Sequence, residues 1–418
     1  MLVEFSPSGG LFQFAFQEGA ALARRGHRVE LVTGPRPELR DGPPGLTIAP
    51  VLPTWHPHDG ADDPAVARRA RRAWRAVRYL AAWWVLARRV NTRRPDVLQW
   101  SNWRFGLDGR LVARMAARVR RWPRPPVLAY LAHSPRPLNE QRRDGAVFKD
   151  GGGTVRGLRR GYAAVDVVLA LGPDSARDLR THFPETRRIA VVPHGDEDVF
   201  VPGDPDPGDT GPVVLFFGTL QAYKGVDLLV EAFAAVRRRV PDARLVIAGA
   251  PSGEVDTAAL ARRCAEVGGV DLRPGYVPMP EVAPLVRGAR LVALPYRMAN
   301  ASGVAHLAHS LARPVVTTAV GDLTAAVTDG VTGLVVPPGD ADALAGAVAS
   351  LLADPARAAR MGAAGRAALT GRAAWPDVAA RIEAALTTGH PIANRPPASP
   401  GAADPASAAA SGGDGVGA

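Results

Sequence analysis

Cysteine is almost missing from this 418-residue chain: Cys264 stands alone. No intrachain disulfide can form, which suits a reducing compartment. Cys264 falls with Ala261 and Arg262 in a segment expected to be helical, and the expectation is a buried, inert thiol. Long apolar runs are missing too. No stretch of about 18 apolar residues occurs, so no membrane-spanning helix is expected. The first residues have neither the basic segment nor the long apolar segment of a secretory signal, so a cytoplasmic location is expected. Lysine is also scarce. Of 51 Lys and Arg residues, only Lys149 and Lys224 are lysine. The arginine excess gives a formal net charge of +11, a balance that suits anionic partners. The arginine runs carry no motif that reads a nucleic-acid groove, so no nucleic-acid partner is expected.

What the chain does have is apolar substance arranged in α/β alternation. Hydrophobic residues make up 47% of it, and its length suits two domains better than one. The organising stretch is Val213 to Gly225. Val213-Val214-Leu215-Phe216-Phe217 is β-branched and aromatic without charge, as a strand buried on both faces would be. Gly218 ends it, a short loop carries Tyr223-Lys224-Gly225, and Val226 opens an apolar-periodic helix. A strand, glycine-bounded loop and helix place a ligand at the carboxyl end of a parallel strand. Amides at a helix start favour an anion, and a loop lysine can neutralise it. A chain that otherwise uses arginine keeps lysine here, as if a compact ammonium were wanted.

The N-terminal part opens in the same way. Leu2 to Ser6 is a short strand, Pro7-Ser8-Gly9-Gly10 a turn, Phe12 to Arg25 a helix, and Gly26 to Thr33 leads into a second strand. This βαβ unit predicts a parallel sheet. Residues 40–64 are rich in Pro and Gly and are expected to loop over the surface; His56 and His58 within them are not expected to bind metal. Val66 to Arg94 is a long helix. Its arginines and its Trp and Tyr residues suit a membrane surface, with Val77, Leu80 and Trp84 packed on the sheet as the plainer alternative. His133 ends a strand, Val127 to His133, where open α/β sheets place functional side chains. Gly145 to Gly157 is expected to be a mobile loop. Residues 389–418 cannot bury a core and are expected to be disordered.

Several motifs carry a family resemblance in the right order. Gly218-Thr219-Leu220-x-x-Tyr223-Lys224-Gly225-x-Asp227 resembles the start of the donor-binding domain in retaining family 4 glycosyltransferases. Arg290 to Tyr296, Ala312-Arg313-Pro314-Val315-Val316-Thr317 and Asp329 to Asp340 resemble later strands of that domain. Gly9-Gly10, Gly26-His27, His133 and Ile189 to Gly195 resemble its N-terminal partner, with His194 in an Asn place. The resemblance implies an α/β protein of GT-B fold, two Rossmann-like doubly wound domains facing a central cleft. It implies residues 1–200 as the acceptor side, 201–212 as linker, 213–372 as the donor side and 373–388 as a helix crossing back. The implied reaction moves a sugar from a nucleoside-diphosphate-sugar to an acceptor hydroxyl with retention, in polysaccharide, glycolipid or glycoconjugate synthesis. The acceptor would be a sugar, lipid-linked or small molecule. No cofactor and no required metal are implied, and the enzyme would rest on the inner face of the membrane, if at all, as a peripheral protein.

The resemblance assigns catalytic roles to Lys224 and His133. It assigns donor and phosphate contacts to Gly9, Gly10, Gly218, Thr219, Lys224, Ser302, Gly303 and Val304, with Ser302 as a helix N-cap. The chain also departs from the family. Two family glutamates fall at Ala299 and Leu307, an arginine falls at Thr219, and the "G-G-x-x-E" segment is Gly321 to Ala325. These losses keep two alternatives in view: a nucleotide-sugar epimerase of the same fold, and a catalytically weak nucleotide-sugar-binding protein.

Overall fold

A computed structural model describes residues 1–56, 65–135, 153–201 and 210–388. His58, Lys149, residues 145–152 of the expected mobile loop, residues 202–209 and residues 389–418 lie outside the described residues, while residues 153–157 of that expected loop open a helix instead. The N-terminal strands are β1 Leu2–Val3, β2 Val29–Val32, β3 Leu46–Ala49, β4 Val97–Trp100, β5 Val127–Ala132, β6 Val167–Ala170 and β7 Ile189–Val191. The C-terminal strands are β8 Val213–Phe217, β9 Arg244–Ala248, β10 Val270–Arg273, β11 Leu291–Leu294, β12 Val315–Thr318 and β13 Gly333–Val336. The helices are α1 Gly10–Arg24, α2 Ala65–Arg93, α3 Gly106–Val119, α4 Gly153–Ala164, α5 Pro173–His182, α6 Val226–Arg239 and α7 Thr257–Val267. They continue with α8 Met279–Arg287, α9 Gly303–Ser310, α10 Leu323–Ala326, α11 Ala341–Ala353, α12 Pro355–Arg372 and α13 Trp375–Thr387.

The strands form two sheets, ordered β3-β2-β1-β4-β5-β6-β7 and β10-β9-β8-β11-β12-β13. Every pairing is parallel, from Leu2 opposite Leu31 to Thr318 opposite Val336. Each order reverses once, between β1 and β4 and between β8 and β11. Such reversals open a crevice at the carboxyl ends of the strands. Charge-free strands lie where burial is complete: all of Val127–Ala132 is buried, as are Val214, Leu215 and Phe216. The two sheets with their helices are the doubly wound pair expected from the alternation.

The last helix returns to the first sheet. Trp375, Val378 and Ile382 of α13 share a core with Phe12, Leu31 and Leu169. Glu383 of α13 pairs with Arg25 at 2.7 Å, and the Trp375 indole donates to the Asp196 carbonyl at 2.8 Å.

Helix α2 corrects one expectation. Tyr79, Ala82, Trp83, Leu86 and Val90 face inward, whereas Trp74 (60% exposed), Val77 (56%), Leu80 (52%) and Trp84 (60%) face out. Both sets have helical spacing, so periodicity alone could not choose between them. The choice is made by Asp108 of α3, buried beneath the helix. Its carboxylate accepts from the Tyr79 hydroxyl at 2.9 Å and the Trp83 indole at 3.1 Å. No helix among the described residues is long and apolar enough to cross a membrane.

Candidate active site

Lys224 lies in the crevice between β8 and β11. The chain leaves β8 through Gly218, whose φ of +111° belongs to a region that side chains rarely adopt. A Cβ on Gly218 would stand 3.1 Å from the Lys224 Nζ and 3.8 Å from a methyl of Val304. The ammonium therefore rests against the open face of the glycine, opposite the start of α9. Gly225 closes the loop at φ +66°, and a Cβ there would strike the Pro295 carbonyl at 2.1 Å. Only glycine lets the loop meet the end of β11. Lys224 is buried, and desolvation brings its pKa down to about 8. Among the described residues no carboxylate pairs with it; its neighbour is the Tyr296 ring, 5.9 Å away.

Arg297 clamps this loop from the β11 side. It holds Asp227 with two bonds of 2.8 Å and donates to the Ala222 carbonyl at 2.9 Å. Beyond it Asn300 is buried with its Nδ2 unpartnered. Ser302 stands at the N-cap of α9, but its side chain makes no cap hydrogen bond. That corrects the expected capping role: the hydroxyl accepts from none of the leading amides of the helix. The amides of Gly303 and Val304 lead the helix.

A chain of rings joins α9 to the first sheet. His306 of α9 stacks on His194 at 4.5 Å, and His194 meets the edge of Phe14 at 4.9 Å. Phe14 in turn meets His133 at 5.0 Å. Burial lowers all three imidazoles: His133 to about 4, His194 well below its ordinary value and His306 below its own. All three are neutral near pH 7, and the buried Nε2 of His133 has no hydrogen-bond partner among the described residues. Glu197 faces the same helix start. A Cβ on Gly303 would lie 3.3 Å from the His194 Nε2 and 3.5 Å from the Glu197 Oε1. The Gln17 amide donates to Glu197 at 3.0 Å, and the Glu197 amide donates to the Ser310 hydroxyl at 2.9 Å.

With this geometry in place, comparison with known proteins decides the family. The model described as "Glycosyl transferases group 1" matches residues 211–354, and the "Glycosyl transferase 4-like domain" matches residues 9–195. A D-inositol 3-phosphate glycosyltransferase from Xylanimonas cellulosilytica is 32% identical over 404 residues, covering 90% of each chain. The chain belongs to the group 1 glycosyltransferases. It also matches a protein of the same description from Kribbella flavida at 37% identity, over 51% of that protein's length. Among solved structures, the sucrose-phosphate synthase of Thermosynechococcus elongatus superposes with a TM-score of 0.70 at 20% identity, covering 92% of this chain and 96% of that one. Anabaena HepE, solved in complex with UDP-glucose, superposes with a TM-score of 0.62 at 15% identity over 93% and 98%. The two sheets are thus the two halves of a GT-B glycosyltransferase.

In this glycosyltransferase Gly218, Lys224, Ser302, Gly303 and Val304 gather at the carboxyl ends of β8 and β11. Thr219 is exposed at the rim. His133 stands at the end of β5 and reaches the group through Phe14 and His194. Gly9 and Gly10 follow β1, but the Gly9 amide already donates to Glu38 at 3.0 Å. Four residues escaped the sequence reading. Glu197 and His306 are brought to the site only by the closing of the two halves. Arg297 could have been suspected from Asp227, had the loop conformation been known. Asp322 accepts from the Asp174 amide at 2.9 Å, the Ser175 amide at 3.1 Å and the Ser175 hydroxyl at 2.5 Å, so it ties α5 of the first half to the second. Among the described residues no group of three or more His, Cys, Asp or Glu could hold a metal ion. A cavity of about 860 Å³ runs under α8 along β8, β9 and β10, and its lining includes none of the cleft residues named above.

Proposed function

We propose that this glycosyltransferase moves a sugar from a nucleoside-diphosphate-sugar to an acceptor hydroxyl with retention of anomeric configuration. The observation that carries the reading is a buried lysine without a carboxylate partner, set against a glycine at the switch point of the second sheet. A charge held there at a desolvation cost is used when an anion arrives. The leaving nucleoside diphosphate develops negative charge as the bond from the anomeric carbon to the phosphate oxygen breaks. Lys224 and the lead amides of α9 would stabilise that charge, without a required metal. The new bond forms to the acceptor oxygen, and its proton passes to the departing phosphate. His133, neutral and with an Nε2 unpartnered among the described residues, would orient the acceptor or the sugar.

The UDP-glucose bound by HepE and the names of the curated relatives support a nucleotide-sugar donor and a hydroxyl acceptor. They favour transfer over the epimerase and weak-binder alternatives. We take residues 1–200 as the acceptor side and 213–372 as the donor side. We also read the enzyme as one that works at a membrane surface on lipid-linked acceptors, because α2 turns aromatic and arginine side chains outward.

The test is nucleoside-diphosphate release from a panel of nucleotide-sugars, with and without acceptors, and NMR of the product. Acceptor-dependent release and a product of unchanged anomeric configuration are expected, with no loss of rate in a chelator. Inversion, or epimerised nucleotide-sugar formed without acceptor, would overturn the reading.

A further inference from the structure

The outward side of α2 and α3 is a built surface. Trp74, Val77, Leu80 and Trp84 are more than half exposed in one stripe along α2. Such side chains rarely stay in water without a partner to cover them. Next to the stripe, α2 and α3 part to leave a groove of about 320 Å³. Its walls are Leu80, Trp84, Ala87, Leu111, Met115 and Trp122, and Arg114 and Arg118 also line it. Those two arginines are exposed, one turn apart on α3. Arg118 donates to Asn91 of α2 at 3.3 Å, which spans the groove.

The charge around the groove has one sign. Helix α2 carries nine arginines and no acidic residue. Helix α3 carries Arg110, Arg114 and Arg118, and its single acid, Asp108, is buried against Tyr79 and Trp83. Neither helix offers an outward negative charge. The guanidinium of Arg88 lies 4.8 Å over Trp84 and that of Arg94 lies 4.0 Å over Trp122, so cations sit on the groove aromatics themselves. Aromatic rings interleaved with arginines match the boundary between headgroups and acyl chains.

We propose that this groove takes one acyl chain of an anionic phospholipid, with the lipid phosphate held by Arg114 and Arg118 and the α2 stripe resting in the surrounding headgroups. The inference rests on the membrane-surface reading above and deepens it. The apolar walls suit a chain. The arginine rim suits a phosphate and disfavours a zwitterionic headgroup, whose own cation meets like charge. A lipid held by its chain would fix the height and tilt of the enzyme on the bilayer, which charge alone does not.

The groove and the membrane reading separate experimentally. The full chain is titrated with dihexanoyl phosphatidylglycerol below its micelle concentration, with dihexanoyl phosphatidylcholine and with glycerol phosphate. It is also sedimented with phosphatidylglycerol and phosphatidylcholine vesicles. The expected result is one-to-one binding of the monomeric anionic lipid, weaker binding of the choline lipid and none of glycerol phosphate. Arg114→Gln and Arg118→Gln, both at exposed positions, should each weaken the monomeric lipid about fivefold. Ala87→Phe should fill the groove and abolish monomer binding while vesicle pelleting persists. Trp74→Ser with Val77→Ser should reduce pelleting and spare monomer binding. Pelleting by the wild type without monomer binding would overturn the groove and leave the membrane reading standing. Equal binding of glycerol phosphate would make it an anion site and overturn the acyl-chain assignment. Monomer binding without pelleting would uphold the groove and remove the membrane reading.

Discussion

Lys224 concentrates the chemistry in one residue. Its burial costs free energy, and among the described residues no carboxylate offsets that cost, so the arriving diphosphate is the natural counterion. Lys224→Ala should lower kcat by about 10²- to 10³-fold, the loss typical of one oxyanion-stabilising donor. The melting temperature should not fall, because a desolvated charge is removed. Steady-state kinetics with a thermal melt checks both. Lys224→Arg should also fail substantially: a planar fork does not fit the space against Gly218 that a point charge fills. His133→Ala should reduce transfer more than donor affinity, since it stands at the end of β5 in the first half and reaches the Lys224 group only through Phe14 and His194. Equal loss of donor affinity in a binding titration would instead put His133 at the diphosphate. The family resemblance singled out Lys224, Gly218 and His133 in sequence, because their segments are local and ordered. Glu197 and His306 were not singled out, because they lie more than a hundred positions apart and come to the same helix only through tertiary packing.

At the scale of elements, the parallel sheets were legible because their central strands, such as β5, β8 and β11, read as uninterrupted apolar runs. Helix α2 was legible as a helix but not in orientation. Its two apolar stripes compete, and a buried carboxylate on another helix settles the matter. The capping of α9 was misread: Ser302 has the right identity and position, but residue type does not fix the rotamer, and its side chain makes no cap bond. Helix α5 shows the reverse case, a cap supplied in trans. Asp322→Ala would leave the Asp174 and Ser175 amides without their acceptor and should destabilise the protein by about 1–3 kcal/mol. A lower denaturation midpoint should come with a weaker apparent donor affinity, because the same bonds hold the two halves together. If stability fell with donor affinity unchanged, the bonds would serve α5 alone.

Across the whole molecule, the two switch points face one another through Phe14, His194, Gly303 and Lys224, and the central claim is that this is where a diphosphate binds. Its most direct measurement is calorimetric titration of a nucleoside-diphosphate panel, beginning with UDP, against the wild type and Lys224→Ala between pH 7 and pH 9. In the free protein Lys224 titrates near 8, so it is mostly charged at pH 7 and mostly neutral at pH 9. Bound diphosphate stabilises the ammonium and raises that value. Affinity should therefore fall as pH rises, by roughly tenfold over this range if the lysine must be protonated to bind. Lys224→Ala should bind more weakly at pH 7 and lose that pH dependence. Unchanged affinity in the variant, or the same pH profile in both proteins, would contradict the account.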